Sequence, residues 1–572
     1  MIKRTHITKS FFLFLILVLL TGISGCNKDT SKKTAAASSV KSFALPQPQG
    51  GVYYSLFVRS FADSDGDGTG DFDGITEHLD YLYELGIRGL WLLPVFPSPS
   101  YHGYDVDDYY DVNPDYGSMQ DFEELLAACK AKGISVMLDI TFNHSSSTNK
   151  WFIASKNPQD PHRAWYHWIS ENPENDMTDN ASKYNLNANI WGHKLWNKAG
   201  NGYYAGEFFD GMPDYNLDCP ELREELKKVL AFWMDKGVSG FRFDAAGHIY
   251  DKIKMPAGFD DSTGASARFW KEIIDFTKSK NSQTYSVAEV WDTTSIRAQS
   301  LMGLDSVFHF DLGDNYILNT IKNQSAGNNN LAHIIQNDLE AYKKYNANFI
   351  DAPFLTNHDQ ARLAGNLKGD KASLKLAAGM YLLTPGIPFV YYGEELGMMS
   401  GTKDETKRTP FLWTGMDSKK KPEHQTSWAA EADCIYNKKT TGLDLQKKDK
   451  DSLYNYYKKI INFRNSCKAF AKDSQLLSYD TGNSVISSWI VQNKENTARA
   501  LVLHNVSTSP VELALPVPAA EKSAGQNGFS GFPDRFFDNP AFSTNPVKKN
   551  KDGTFLIPPQ TSLVFTDDQL LY

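Results

Sequence analysis

"GFRFDAAGH", residues 240–248, sets an arginine and an aspartate two positions apart inside a run that otherwise reads as buried strand. Side chains alternate along a strand with period two, so Arg242 and Asp244 share one face. The stretch follows "CPELREELKKVLAFWMDKG", residues 219–237, whose apolar positions recur at three- and four-residue intervals as in an amphipathic helix. Helix, turn and strand in this order are one unit of an alternating pattern.

That pattern runs along most of the chain. Strand candidates are "GVYYSLFVRSF" (51–61), "IRGLWLLPV" (87–95), "ISVMLDITF" (134–142), "VSGFRFDA" (238–245), "QTYSVAEVW" (283–291), "DSVFHFDL" (305–312), "NANFIDAPFLTN" (346–357) and "IPFVYYGEE" (387–395), with helical stretches between them. Eight such units over roughly 400 residues argue for an α/β fold of the (β/α)₈ TIM-barrel type. An open doubly wound sheet is the alternative, but no glycine-rich phosphate fingerprint follows the first strand. The barrel is expected over 49–144 and 217–471. The seventy or so residues between, 145–216, are too many for a simple loop and read as a small domain inserted after strand three. From 472 to 572 short alternating runs such as "SVISSWIVQ" and "ARALVLHNV" predict a C-terminal antiparallel β-sandwich.

Residues 1–25 read as a secretory signal: Lys3, Arg4 and Lys9 precede the short apolar core "FFLFLILVLL". "ISGC", 23–26, resembles a bacterial lipoprotein cleavage box, which makes Cys26 the expected lipidation site and 26–48 a polar tether to the outer side of the cytoplasmic membrane. Removing the leader takes the net charge from −9 to −12. An acidic exported chain is a poor binder of nucleic acid. The other four cysteines, at 129, 219, 434 and 467, show neither a disulfide framework nor a zinc spacing. A monomer is expected.

In a barrel of this kind chemistry gathers at the C-terminal strand ends. Polar residues fall there repeatedly: Asp139, Asn143 and His144 in "LDITFNH", then Arg242, Asp244 and His248, then Glu289 in "AEVW", then Asn357, His358 and Asp359 in "LTNHD". Carboxylates gathered on one rim raise each other's pKa and cost stability, which points to function. Asp244, Glu289 and Asp359 suit retaining glycoside hydrolysis, in which a nucleophilic and a proton-donating carboxyl sit about 5 to 5.5 Å apart. Arg242 would keep Asp244 ionised. Glu289 has no cation beside it in sequence, and Val290 and Trp291 following it suggest an apolar setting that favours the protonated form.

With "MPDYN" (212–216) before strand four, these motifs together resemble the α-amylase superfamily, glycoside hydrolase family 13, over nearly the whole mature chain. The resemblance implies Asp244 as nucleophile, Glu289 as acid/base and Asp359 as a third acid gripping sugar hydroxyls. It implies His144, His358 and His248 as substrate contacts, Arg242 as the residue orienting Asp244, and Tyr104 in "YHGYD" stacking under the attacked ring. In "DSDGDGTGD", 63–71, Asp63, Asp65, Asp67, the Thr69 carbonyl and Asp71 offer oxygens at alternate positions, a set that suits Ca²⁺. Relatives with the same loop bind calcium there, so a structural Ca²⁺ is expected. Many relatives hold a second cation through the counterpart of Asn143, for which the sequence identifies no partner residue.

The substrate is less determined. Gly247 stands where many amylases carry lysine, so one contact beyond the cleavage point is missing. Tyr101 stands where chain-end-cutting relatives carry aspartate, which favours an open cleft and internal cleavage of α-1,4-glucan or maltodextrin. "MPDYN" and "RTPFLW" (408–413) lean instead toward oligosaccharide-acting and neopullulanase-like branches. An α-1,6, exo-acting or transglycosylating enzyme is therefore the alternative. A non-catalytic glycan-binding relative would have lost the acids, and all three are present.

Overall fold

The computed structural model describes residues 51–171, 178–259, 261, 264–515 and 536–570; the leader, Cys26 and the tether lie outside them. Seven parallel strands form one curved sheet: β1 (Val52–Leu56), β2 (Ile87–Leu92), β3 (Ser135–Thr141), β4 (Gly240–Asp244), β5 (Tyr285–Ala288), β6 (Ser306–Val307) and β7 (Phe389–Tyr391). Their order is β6-β5-β4-β3-β2-β1-β7. The gap between β6 and β7 is spanned by two parallel bridges, Phe308 to Ala352 and Phe354 to Phe389, so the ring closes with an eighth position as in a TIM barrel.

The expected strand over 346–357 is thus reduced to single bridges. Pro353 lies between the two bridging residues and has no N–H to extend a ladder. The segment still accepts: the amides of His309 and Phe389 donate to the carbonyls of Ala352 and Pro353 at 3.2 and 2.9 Å.

Local chemistry sets up β3 and β4. Pro220 opens the helix Pro220–Lys236 and Gly237, at φ 112°, ends it, three residues before β4 begins. The helix Met119–Ala131, which precedes β3, starts with a capping box between Ser118 and Asp121. Apolar residues of all the strands are buried in one continuous core.

Between β3 and the helix at Pro220 the chain builds a small antiparallel sheet from Trp168–Ser170, Gly202–Ala205 and Trp196–Ala199, to which Asp179–Asn180 adds in parallel, and a hairpin of Asn189–Ile190 with His193–Lys194. It returns to the barrel through bridges from His144 to Asp214 and Tyr166 to Tyr215. C-terminally, a five-stranded and a three-stranded antiparallel sheet enclose a second core that includes Ile490, Leu501, Leu503, Phe555 and Phe565. Among the described residues no helix is long and apolar enough to cross a membrane.

Candidate active site

The register of β3 against β4 sets Arg242 opposite Asp139. Arg242 is fully buried, and its Nη1 donates to Asp139 Oδ1 at 2.8 Å and to Asp244 Oδ1 at 2.6 Å. Its Nη2 lies 2.9 Å from Glu289 Oε2. One guanidinium therefore serves three carboxylates from three neighbouring strands. Asp139 is held from its other side by Trp91 Nε1 and the Tyr104 hydroxyl, each donating to Oδ2 at 3.0 Å.

Glu289, which has no cation beside it in sequence, thus meets one in space; its carboxyl is raised as expected, but the setting is polar rather than the apolar one that Val290 and Trp291 suggested. Residues remote in sequence meet at the rim because parallel strands bring their C-terminal ends together. Val290 is buried, but Trp291 is exposed and stacks on Phe310 at 4.8 Å. The Glu289 carboxyl is fixed instead by the Ala245 amide, which donates to Oε2 at 2.9 Å. Ala245 has φ 47°, a left-handed conformation that a non-glycine residue adopts at a cost, and the cost aims that amide at the acid.

Electrostatics follow from the sharing. Burial pushes Asp244 up to about 6; Arg242 opposes the shift, while Asp139 and Asp359 add to it. Burial likewise raises Glu289, against Arg242 and with Asp244 and Asp359. Arg242 thus holds Asp244 in place and lowers its pKa but, divided among three acids, does not outweigh burial. Asp359 behaves oppositely: burial works against its charge, but His358, Arg408 and Arg242 outweigh it and hold the carboxyl far below the usual range. His358 Nε2 is 3.0 Å from Asp359 Oδ2, and Arg408 Nη2 donates to Asp359 Oδ1 at 2.9 Å.

The substrate-contact candidates surround these acids. Tyr104 stacks on His358 with ring centroids 5.3 Å apart, and its hydroxyl lies 2.6 Å from His358 Nε2. His144 and His358 are buried, yet His144 Nε2 and His358 Nδ1 have no partner among the described residues. Buried polar atoms are normally satisfied, so His358 Nδ1 is open to a ligand hydroxyl, while the His144 ring already has the Tyr104 backbone beside it. Burial, with Lys254 nearby, pushes His144 down to about 3, which keeps its ring neutral. His248 points toward the inserted domain, its Nδ1 2.6 Å from Glu207 Oε1.

Sequence reasoning missed three participants. Arg408 lies in "RTPFLW", noted only as a branch marker; it joins Asp359 to Asp404, which also accepts from the Tyr101 hydroxyl. Glu207 and Lys254 carried no signal, each sitting in a polar loop. The Lys254 ammonium is fully buried and donates to Asn143 Oδ1 at 2.6 Å, with Glu207 Oε2 at 3.1 Å and Asp214 Oδ2 at 3.7 Å. Asn143 in turn donates to Asp214 at 3.2 Å. An internal cation thus joins Asn143 to the inserted domain.

In the loop 63–71 the carboxylates of Asp63, Asp65 and Asp71 each present an oxygen within 4.8 Å of the others. Asp67 is not in that group; its Oδ1 accepts from the Thr69 amide at 2.6 Å. Amides of Gly66 and Gly68 donate to Asp63, shaping the loop around its own acids. Three carboxylates at this spacing fit a hard divalent cation.

Residues 55–473 match the family model for the α-amylase catalytic domain. The chain is 40% identical over 509 residues to α-amylase 3 of Dictyoglomus thermophilum, covering 88% of this chain and 90% of that one. It is 32% identical over 421 residues to a 4-α-glucanotransferase of Thermotoga maritima, covering 72% and 87%. Among solved structures, an α-amylase from H. orenii superimposes with a TM-score of 0.77 at 31% identity, over 91% of this chain and all of that one. With a closed parallel barrel, a rim of shared carboxylates and these relatives, the chain belongs to the α-amylase family of glycoside hydrolases and transglycosylases, glycoside hydrolase family 13.

Proposed function

We propose that this chain is a retaining α-glucan hydrolase that cuts internal α-1,4-glucosidic bonds of starch or maltodextrin. Asp244 attacks the anomeric carbon; Glu289 protonates the leaving oxygen and then takes a proton from the incoming water. The observation that carries the reading is that Asp244 and Glu289 are held by the two terminal nitrogens of one guanidinium, close neighbours on one rim, with Asp359 beside them as a third acid held ionised.

The division of labour follows from the surroundings. Asp244 at about 6 is ionised at neutral pH and can act as nucleophile. Glu289, buried beside two further carboxylates, retains its proton more readily than an exposed glutamate. Asp359, held charged by His358 and Arg408, accepts hydrogen bonds from sugar hydroxyls and favours the positive charge of the oxocarbenium-like transition state. His144, His358 and Tyr104 bind the attacked ring, and His248 contacts the sugar beyond the cleavage point.

We further propose that Asp63, Asp65 and Asp71, with Asp67 and the Thr69 carbonyl, hold a structural Ca²⁺, and that lipidation of Cys26 tethers the enzyme outside the cytoplasmic membrane. The cation would neutralise the loop after β1; no catalytic step passes through it. Replacing Cys26 with serine should release the protein from the membrane fraction.

Purified protein incubated with soluble starch should release reducing ends, and a Glu289→Gln variant should not. Chromatography of products from amylose should show mixed maltooligosaccharides; panose from pullulan, or glucose alone, would instead support an α-1,6- or exo-acting enzyme. Transfer to a second sugar is the other reading, favoured by the resemblance to the T. maritima glucanotransferase. It would appear as products longer than the starting oligosaccharide.

A further inference from the structure

After β6 the chain forms a helix that begins with a π-helical turn, Leu312–Ile317, and continues as Leu318–Asn323. Asn315, Asn319 and Asn323 stand four residues apart along it, so they fall on one face over successive turns. Asparagine is a poor helix former, because its side chain competes for the backbone; a face that only meets water is better built from lysine, glutamate or alanine. π-turns, too, concentrate where a helix serves a function. This face therefore carries a cost that solvation alone does not explain.

It lines an open cleft of about 220 Å³, completed by Asn330, Leu331 and Ile334 of the next helix, Asn330–Lys343. Asn319 donates to Asn315 Oδ1 at 2.9 Å, whereas the carboxamides of Asn323 and Asn330 have no partner among the described residues. No charged side chain among the described residues lines the cleft, in a chain of which 22% is charged. Its shape is fixed. Buried Asn329, at φ 58°, donates to the Ser478 hydroxyl and to the carbonyls of Tyr479 and Ser488 at 3.0, 3.1 and 2.7 Å, and accepts from the Ser488 amide at 2.9 Å. The Ala326 amide donates to the Ser484 carbonyl at 2.7 Å. The turn between the two helices is thus clamped to the C-terminal part of the chain, which holds Asn330 in the cleft. At its other end the helix starts at the catalytic rim, where Asp314 accepts at 2.7 Å from Gln360, the neighbour of Asp359.

Neutral carboxamides with apolar flanks match a ligand that is uncharged and rich in hydroxyls, since a carboxamide offers both donor and acceptor, as a sugar hydroxyl does. An ion would find no counter-charge here, and an apolar ligand would strand the carboxamides. We propose that this cleft is a second, non-catalytic site that holds a stretch of α-glucan outside the cleft where bonds are cut. Its clamped walls lower the ordering cost of binding. The choice of α-glucan among neutral saccharides rests on the reading of the rim as glucan-cleaving.

Asn315→Glu, Asn319→Lys and Asn323→Ala together turn the face into an ordinary solvated one with an ion pair four residues apart, so the melting temperature should hold or rise. In a Glu289→Gln background, which leaves chains uncut, isothermal titration with maltoheptaose should show a catalytic site and a second, weaker one. The triple substitution should weaken the second at least about tenfold and leave the first unchanged. In otherwise wild-type enzyme it should leave kcat/KM for α-maltosyl fluoride unchanged. A single site before substitution, a second site that survives it, or a loss that tracks a fall in melting temperature would overturn the proposal. Cellohexaose filling the second site as well as maltoheptaose does would overturn its assignment to α-glucan. If the wild type released no reducing ends from starch while the second site was present and lost as described, the glucan-cleaving reading alone would fall.

Discussion

Arg242 and Lys254 are both fully buried cations among acids, but their neighbours differ. Around Lys254 the carboxylates of Glu207 and Asp214 are as inaccessible as the ammonium. Around Arg242 the side chains of Asp244 and Glu289 keep 11% and 14% of their surface open, and Asp359 beside them keeps 33%. A closed charge cluster can only fasten; an open one can meet a substrate. Lys254 ties the end of β3, through Asn143, to Asp214 and Glu207 of the inserted domain, whereas Arg242 gathers acids that face the cleft.

Removing each cation should therefore fail differently. Arg242→Met leaves Asp139, Asp244 and Glu289 buried without their shared counter-charge, so they take up protons. The expected loss in kcat on maltoheptaose is at least about 10²–10³-fold. Lys254→Met leaves Asp214 buried without a cation and Glu207 with His248 alone, and should cost about 3–5 kcal/mol in stability, read by chemical denaturation at pH 7. Combining it with Asp214→Asn should recover part of that loss, since Glu207 keeps His248 as its partner. If Lys254→Met kept full stability and lost only kcat, the contrast between fastening and catalytic clusters would be broken.

The contrast extends to pH. Asp244, raised to about 6, is protonated below that value and could then no longer serve as the proposed nucleophile. The kcat/KM profile should fall about tenfold per pH unit below roughly pH 6, and fall again at higher pH as Glu289 loses its proton. A profile flat down to pH 4 would mean that Asp244 is held ionised by something the shared guanidinium does not supply.

The smallest expected effect concerns the loop 63–71. Removing divalent cations with a chelator should lower stability by about 2–3 kcal/mol if the loop 63–71 binds calcium well below its ambient concentration. Asp63→Asn with Asp71→Asn should abolish that response without changing kcat. A chelator effect that survives the double substitution would place the cation elsewhere.

What the sequence could show depended on how local the cause was. Period-two alternation aligned Arg242 with Asp244, and the repeated strand–helix pattern revealed the barrel. Pro353 was visible too, yet its effect on the seventh strand position depends on which partners need an N–H, a tertiary matter. The cation beside Glu289 could not be read, because it comes from a different strand 47 positions earlier. Lys254 was unreadable for the same reason: a lysine in "DKIKMP" is ordinarily solvated, and only the approach of Asn143, Glu207 and Asp214 makes it internal.

In the proposed mechanism Asp244 is the nucleophile, under the control of a separate acid. Its most direct test uses Glu289→Gln, which slows turnover of the intermediate, treated with α-maltosyl fluoride, which needs no proton to depart, followed by peptide mass spectrometry. One maltosyl adduct is expected, on the peptide bearing Asp244 and on that carboxylate. An adduct on another residue, or fluoride release with inverted product and no adduct, would contradict it.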